Sequence, residues 1–206
     1  MAADLIKKTF TLLVLLDPIS VLPIFLASAK SLSAAQAAVY ARKLGVFVGV
    51  TLLTIGVAGA QLLQMLGVSV AAMQISGGAI GLLIAIAMVL GYEVHARGTS
   101  SELQEAAGAP SLVPLGLPLL VGPAVMSYVI ATGKVTSLAG VPALVVPCAI
   151  AGLATWATFR AGLRIGKALK QSTMHLIERI AGFILAILSI EMIGQGARAM
   201  FPGLAG

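Results

Sequence analysis

The sequence predicts an all-α membrane protein whose six transmembrane helices form two inverted three-helix repeats. Three features point there: a composition too apolar for water, six apolar runs of spanning length, and a proline-broken helix that recurs half a chain later. Of the 206 residues, 59% are hydrophobic and 10% charged, against roughly half and about a quarter in soluble domains. One bilayer crossing takes about 20 apolar residues, so the chain has room for the six spans and no sizeable soluble domain is left over.

The apolar runs fall at Leu5 to Ala29, Leu44 to Leu66, Ala72 to Tyr92, Leu112 to Ala131, Leu138 to Phe159 and Ile177 to Ala199. The longest connection, 93–110, carries Gly98, Gly108, three Glu and Pro110 and reads as a linker between a first repeat, 1–92, and a second, 111–206. Lys7 and Lys8 followed by an apolar stretch ending at Ala27-Ser28-Ala29 look like a signal peptide. The run from Phe10 to Leu26 is too long for one and is interrupted by Asp17-Pro18, so a retained helix is expected.

The net charge of +6 comes from Lys and Arg in the gaps between apolar runs, which mark topology and lipid headgroups rather than nucleic acid. The N-terminus, second and fourth gaps and C-terminus hold Lys7, Lys8, Lys134 and Arg198. The first, third and fifth gaps hold Lys30, Arg42, Lys43, Arg97, Arg160, Arg164, Lys167, Lys170 and Arg179. Positive residues stay cytoplasmic, so both termini are expected outside a cytoplasmic membrane. Cys148 is the single cysteine, which excludes an intrachain disulfide and a thiolate metal site and leaves it a packing role. His95 and His175, both expected in loops, are too isolated to form a metal site.

Asp17-Pro18 in the first run is matched by Gly122-Pro123 in the fourth, 105 residues on. The segment 75–88, ISGGAIGLLIAIAM, aligns with 179–192, RIAGFILAILSIEM, at an offset of 104, placing Gly78 on Gly182 and Met88 on Met192. Three spans per copy turn the second copy upside down in the membrane, the plan of many secondary transporters.

A mid-helix proline removes a backbone hydrogen bond and clashes with the preceding turn. In lipid such a break persists only where protein or a wet cavity covers it, although a simple kink is the blander reading. Asp17 suits an N-cap for a half-helix starting at Pro18. Gly122 brings no capping side chain, so the N–H groups after Pro123 are free to meet a carboxylate. Together these suggest a small zwitterion held at the midplane, its ammonium near Asp17 and its carboxylate at the fourth-helix break, with Ser20 and Ser127 supplying hydroxyls. Gly77 and Gly78 read either as close helix packing or as room for the site. Glu191 is the other intramembrane acid, a coupling candidate beside Asp17 or an acid that snorkels to the interface. Glu178 and Arg179 read as interfacial anchors.

DPISVLPIF (17–25), ISGGAIGLLIAIAM (75–88), PLGLPLLVGP (114–123) and ERIAGFILAILSIEM (178–192) together resemble the MarC family of six-helix membrane proteins, over nearly the whole chain. The family's name implies multiple antibiotic resistance, and its small neutral amino acid transporters imply ion-driven uptake of glycine and alanine. Where that family commonly has a Gly-Asn pair after the first break, this chain has Ser20 and Val21, and where relatives often carry Gln late in helix six it has Glu191.

The expectation is therefore a secondary transporter of small neutral amino acids working by alternating access, with H+ or Na+ as coupling ion and no cofactor. Its expected partners are the zwitterion and membrane lipids, with self-association an open alternative. An exporter of other metabolites or drugs would favour a larger aromatic cavity than one Trp, three Tyr and six Phe provide. An intramembrane enzyme lacks HExxH, paired-aspartate or Ser-His signatures, and an inert scaffold has no need of paired breaks.

Overall fold

The computed structural model describes residues 2–91, 110–112, 115–133, 141–165, 171–201 and 203. Among the described residues seven α-helices run in chain order: α1 Ala2–Leu16, α2 Pro18–Ser28, α3 Ala34–Met65, α4 Val70–Leu90, α5 Pro123–Thr132, α6 Val141–Ile165 and α7 Gln171–Met200, with a π-helical turn over Leu115–Leu120 before α5. No strand occurs among the described residues. By length and composition α3, α4 and α6 can each cross a membrane, and α1 with α2, bent by 44° at their junction, forms either a fourth, broken span or a re-entrant pair. The 93–110 linker, Pro110 apart, and His95 lie outside the described residues.

Large apolar side chains cover the outer surface: Val46 and Val57 are each 61% exposed, Leu83 64% and Phe183 63%. Soluble monomers rarely expose apolar patches beyond a few hundred Å², so hydrocarbon is the solvent that fits this exterior. The interior is apolar too, centred on Leu16, Phe25, Leu44, Leu52, Leu120 and Phe159. Phe25 stacks on Phe159 at 4.3 Å between centroids and on Tyr40 at 5.5 Å, joining α2, α3 and α6.

Three of the helices, α3, α6 and α7, outrun their apolar stretches. α3 begins at Ala34 because Ser33 caps it: the Gln36 N–H donates to Ser33 Oγ and the Ser33 N–H to Gln36 Oε1, a capping box. Arg42 and Lys43, expected in a gap, therefore sit on α3. α6 likewise carries Arg160 and Arg164 to its end. His175, expected in a loop, lies in α7, where its Nδ1 is 3.4 Å from Glu178 Oε2 one turn on.

Glycines set the closest helix approaches. A Cβ on Gly45 would stand 2.6 Å from the Gly152 carbonyl, and one on Gly152 2.6 Å from the Gly45 carbonyl, so α3 and α6 run antiparallel with backbones touching. Between α4 and α7, a Cβ on Gly78 would meet the Ser189 carbonyl at 2.7 Å and the Ile193 N at 3.2 Å. A Cβ on Gly182 would meet the Ala85 carbonyl at 3.1 Å and the Val89 N at 3.3 Å. Shifted by 104 residues, each set becomes the other.

Candidate functional site

Both proline steps break their helices, in different ways. The Asp17 N–H still donates to the Leu13 carbonyl at 3.0 Å, so α1 stays wound up to the break. Asp17 itself has φ 40° and ψ 65°, and it is the one non-glycine residue with positive φ among those described. Asp visits this left-handed region more readily than most residues. The turn aims its carboxylate back over α2: Oδ1 accepts from the Ser20 N–H at 3.4 Å and Oδ2 from the Ser20 hydroxyl at 2.5 Å. The expected capping role of Asp17 is thus realised, on a side chain only 6% exposed. Pro18 follows as the first, buried residue of α2.

In the fourth apolar run the chain enters through the π-helical turn, where Leu117 leaves helical geometry at φ −138° and ψ 124° and the Val121 N–H reaches back to the Gly116 carbonyl at 3.0 Å. Gly122 is extended, and no side chain caps α5. Pro123 has no N–H to give, which leaves those of Ala124 and Val125 at the helix start without an intrahelical acceptor. These residues, with Leu15 just before Asp17, Gly81 of α4, Leu119, Leu120 and Leu185 of α7, line a cavity of about 20 Å³, room for a water molecule. The α5 break thus opens on this space, which α1 reaches through Leu15 while Asp17 and Pro18 do not line it, and α4 and α7, packed on each other through Gly78 and Gly182, form its other walls.

The other expected site residues divide. Ser127 is 2% exposed and donates to the Pro123 carbonyl at 2.8 Å, and the α4 backbone at Gly77 rests on its side chain. Gly77 and Ser127 therefore meet, and Gly78 turns to α7 instead. The hydroxyls of Ser20 and Ser127 are both engaged at their own helix breaks. Glu191 is not brought to the cavity: it is exposed on α7 and accepts from Gln195 Nε2 at 3.0 Å.

Ser189 was not singled out by the sequence. It is fully buried on α7, its Oγ has no hydrogen-bond partner among the described residues, and it abuts Gly81, which lines the cavity. A serine inside an apolar run was the available signal, weakened because Ser28 and Thr155 also occupy such runs. Those two bond carbonyls of their own helix, at Phe25 and Ala151.

An apolar exterior, spanning helices and a discontinuous pair at the centre define an integral membrane protein. The MarC family model, described as MarC family integral membrane protein, matches residues 2–201, and the chain belongs to that family. It is 30% identical over 196 residues to the UPF0056 membrane protein YhcE of Escherichia coli, covering 94% of this chain and 91% of that one. It is 29% identical over 193 residues to the UPF0056 membrane protein YvbG of Bacillus subtilis, 91% of each, and 24% identical over 196 residues to a UPF0056 membrane protein of Aquifex aeolicus, 94% and 92%. No solved structure matches significantly.

Proposed function

We propose that this protein is a secondary transporter, not an enzyme, that moves small neutral amino acids of the glycine and alanine class across the cytoplasmic membrane. Six spans form two inverted repeats, α1 to α4 and the π-helical turn to α7, with both termini outside. The reciprocal seating of Gly78 on Ser189 and of Gly182 on Ala85 supports this plan, because an axis relating two inverted copies exchanges equivalent contacts.

The observation that carries the reading is the uncapped start of α5 at Gly122, facing the same small cavity as the end of α1. Helix N-termini attract carboxylates, and Asp17, at the α1–α2 break, supplies the opposite charge for an ammonium group. Ser189 adds a hydroxyl without a hydrogen-bond partner among the described residues. A cavity of about 20 Å³ is smaller than any amino acid, so this conformation is a closed one. Substrate entry requires α5 and α1–α2 to move against the α4–α7 pair. In this reading a proton or sodium ion couples at Asp17, since Glu191 faces outward.

The test is uptake of labelled glycine and alanine into proteoliposomes under imposed proton or sodium gradients, for wild type, Asp17→Asn and Glu191→Gln. The reading requires gradient-driven uptake that Asp17→Asn abolishes and Glu191→Gln spares. Folded, inserted protein that takes up neither amino acid under any gradient would overturn the substrate assignment and direct the search to export of other small solutes.

A further inference from the structure

We propose that the outer face of α3 holds one two-chain anionic phospholipid, with its phosphate on Arg42 and Lys43 and its acyl chains on either side of Val46. Two apolar hollows flank that residue. One, about 370 Å³, runs between α3 and α6 over Gly45, Gly49, Leu153 and Trp156. The other, about 400 Å³, lies on the far side over Phe47, Val50 and Leu112. Arg42 and Val46 line both. They are four residues apart on one helix and so form a single ridge, with Lys43 beside it at the head of the second hollow.

The charge pattern selects the headgroup. Neither α3 nor α6 contains an acidic residue, whereas their antiparallel pairing brings Arg42, Lys43, Arg160 and Arg164 to one end. Arg42 and Lys43 are exposed and have no ion-pair partner among the described residues. Long basic side chains at the end of a span reach toward the headgroup layer while their stems cover apolar surface. There each contributes attraction to an anionic lipid. Val46, 61% exposed, is a narrow ridge between hollows of similar size, which fits two chains from one glycerol better than one.

The site is tested by native mass spectrometry of the full chain titrated with dioleoyl phosphatidylglycerol, dioleoyl phosphatidylcholine and single-chain lysophosphatidylglycerol. Expected is a one-lipid adduct formed most readily with the two-chain anionic lipid. The double variant Arg42→Gln/Lys43→Gln should weaken it about tenfold or more, and Val46→Trp, which alters the ridge and leaves the charge, should also lose it. Arg198→Gln, at the end of α7, should match wild type. Retention of this lipid no better than phosphatidylcholine, or insensitive to both α3 changes, would overturn the proposal. So would a dimer without lipid that Val46→Trp dissociates, since that would make the face a contact between copies.

Discussion

Gly78 on α4 rests against the backbone of Ser189 on α7, and a Cβ there would stand 2.7 Å from the Ser189 carbonyl. The obstacle is main chain, which cannot rotate aside as a side chain does. Gly78→Ala is therefore expected to destabilise the protein by about 1–3 kcal/mol through overpacking, lowering its thermal midpoint in detergent. Gly203→Ala, in open space, should leave the midpoint unchanged.

Asp17 combines a cap with a left-handed backbone, and substitutions separate the two. Asp17→Ala loses the cap, at about 0.5–2 kcal/mol, and leaves a Cβ in that left-handed region with no local hydrogen bond to offset it. Asp17→Gly forgoes the side chain but accepts the φ, and Asp17→Asn keeps both functions. Melting of the purified variants should thus rank Asn above Gly and Gly above Ala. A uniform loss across the three would show that charge governs stability here.

Gly77 and Ser127 share one contact. Gly77→Ala crowds the Ser127 side chain and threatens its bond to Pro123, whereas Ser127→Ala removes that bond alone. In the double variant the two losses should fall short of their sum by about 0.5–3 kcal/mol, measurable in a thermodynamic cycle by reversible unfolding.

The hydroxyl of Ser189, which has no hydrogen-bond partner among the described residues, is costly where it stands, because a buried unsatisfied donor forfeits its hydration. Ser189→Ala should leave stability equal or up to about 1 kcal/mol higher, while slowing the amino acid uptake proposed above. Reduced stability would mean that the hydroxyl already serves the fold.

Orientation is checked with thiols. In a Cys148→Ala background, Gly203→Cys should react with a membrane-impermeant maleimide on intact cells, as expected for an outside C-terminus.

The breaks were legible because proline has no substitute chemistry: Asp17-Pro18 and Gly122-Pro123 stand out in any apolar run, and both interrupt their helices. The α3 start was also written in the chain, as Ser33 and Gln36 three apart, yet the apolar run beginning at Leu44 masked it. Hydropathy sees only the buried or lipid-facing stretch, and a helix continues while its backbone bonds are met. The packing of the π-helical turn before Gly122 depends on neighbours from α2 and α3. So does the burial of Ser189, since nothing in ILAILSIEM marks which side meets Gly81. Glu191 shows the same limit in reverse: its register on α7 takes it away from the cavity.

Trp156, the chain's single tryptophan, lines the hollow between α3 and α6 and is 36% exposed. The protein thereby carries its own fluorophore at one defined spot on its perimeter, with no other indole to dilute the emission. Its spectrum reports the polarity of that furrow alone. Phospholipids brominated along their tails would quench it according to the depth of the bromine atoms, turning unmodified protein into a ruler for how its α3–α6 seam sits in a bilayer.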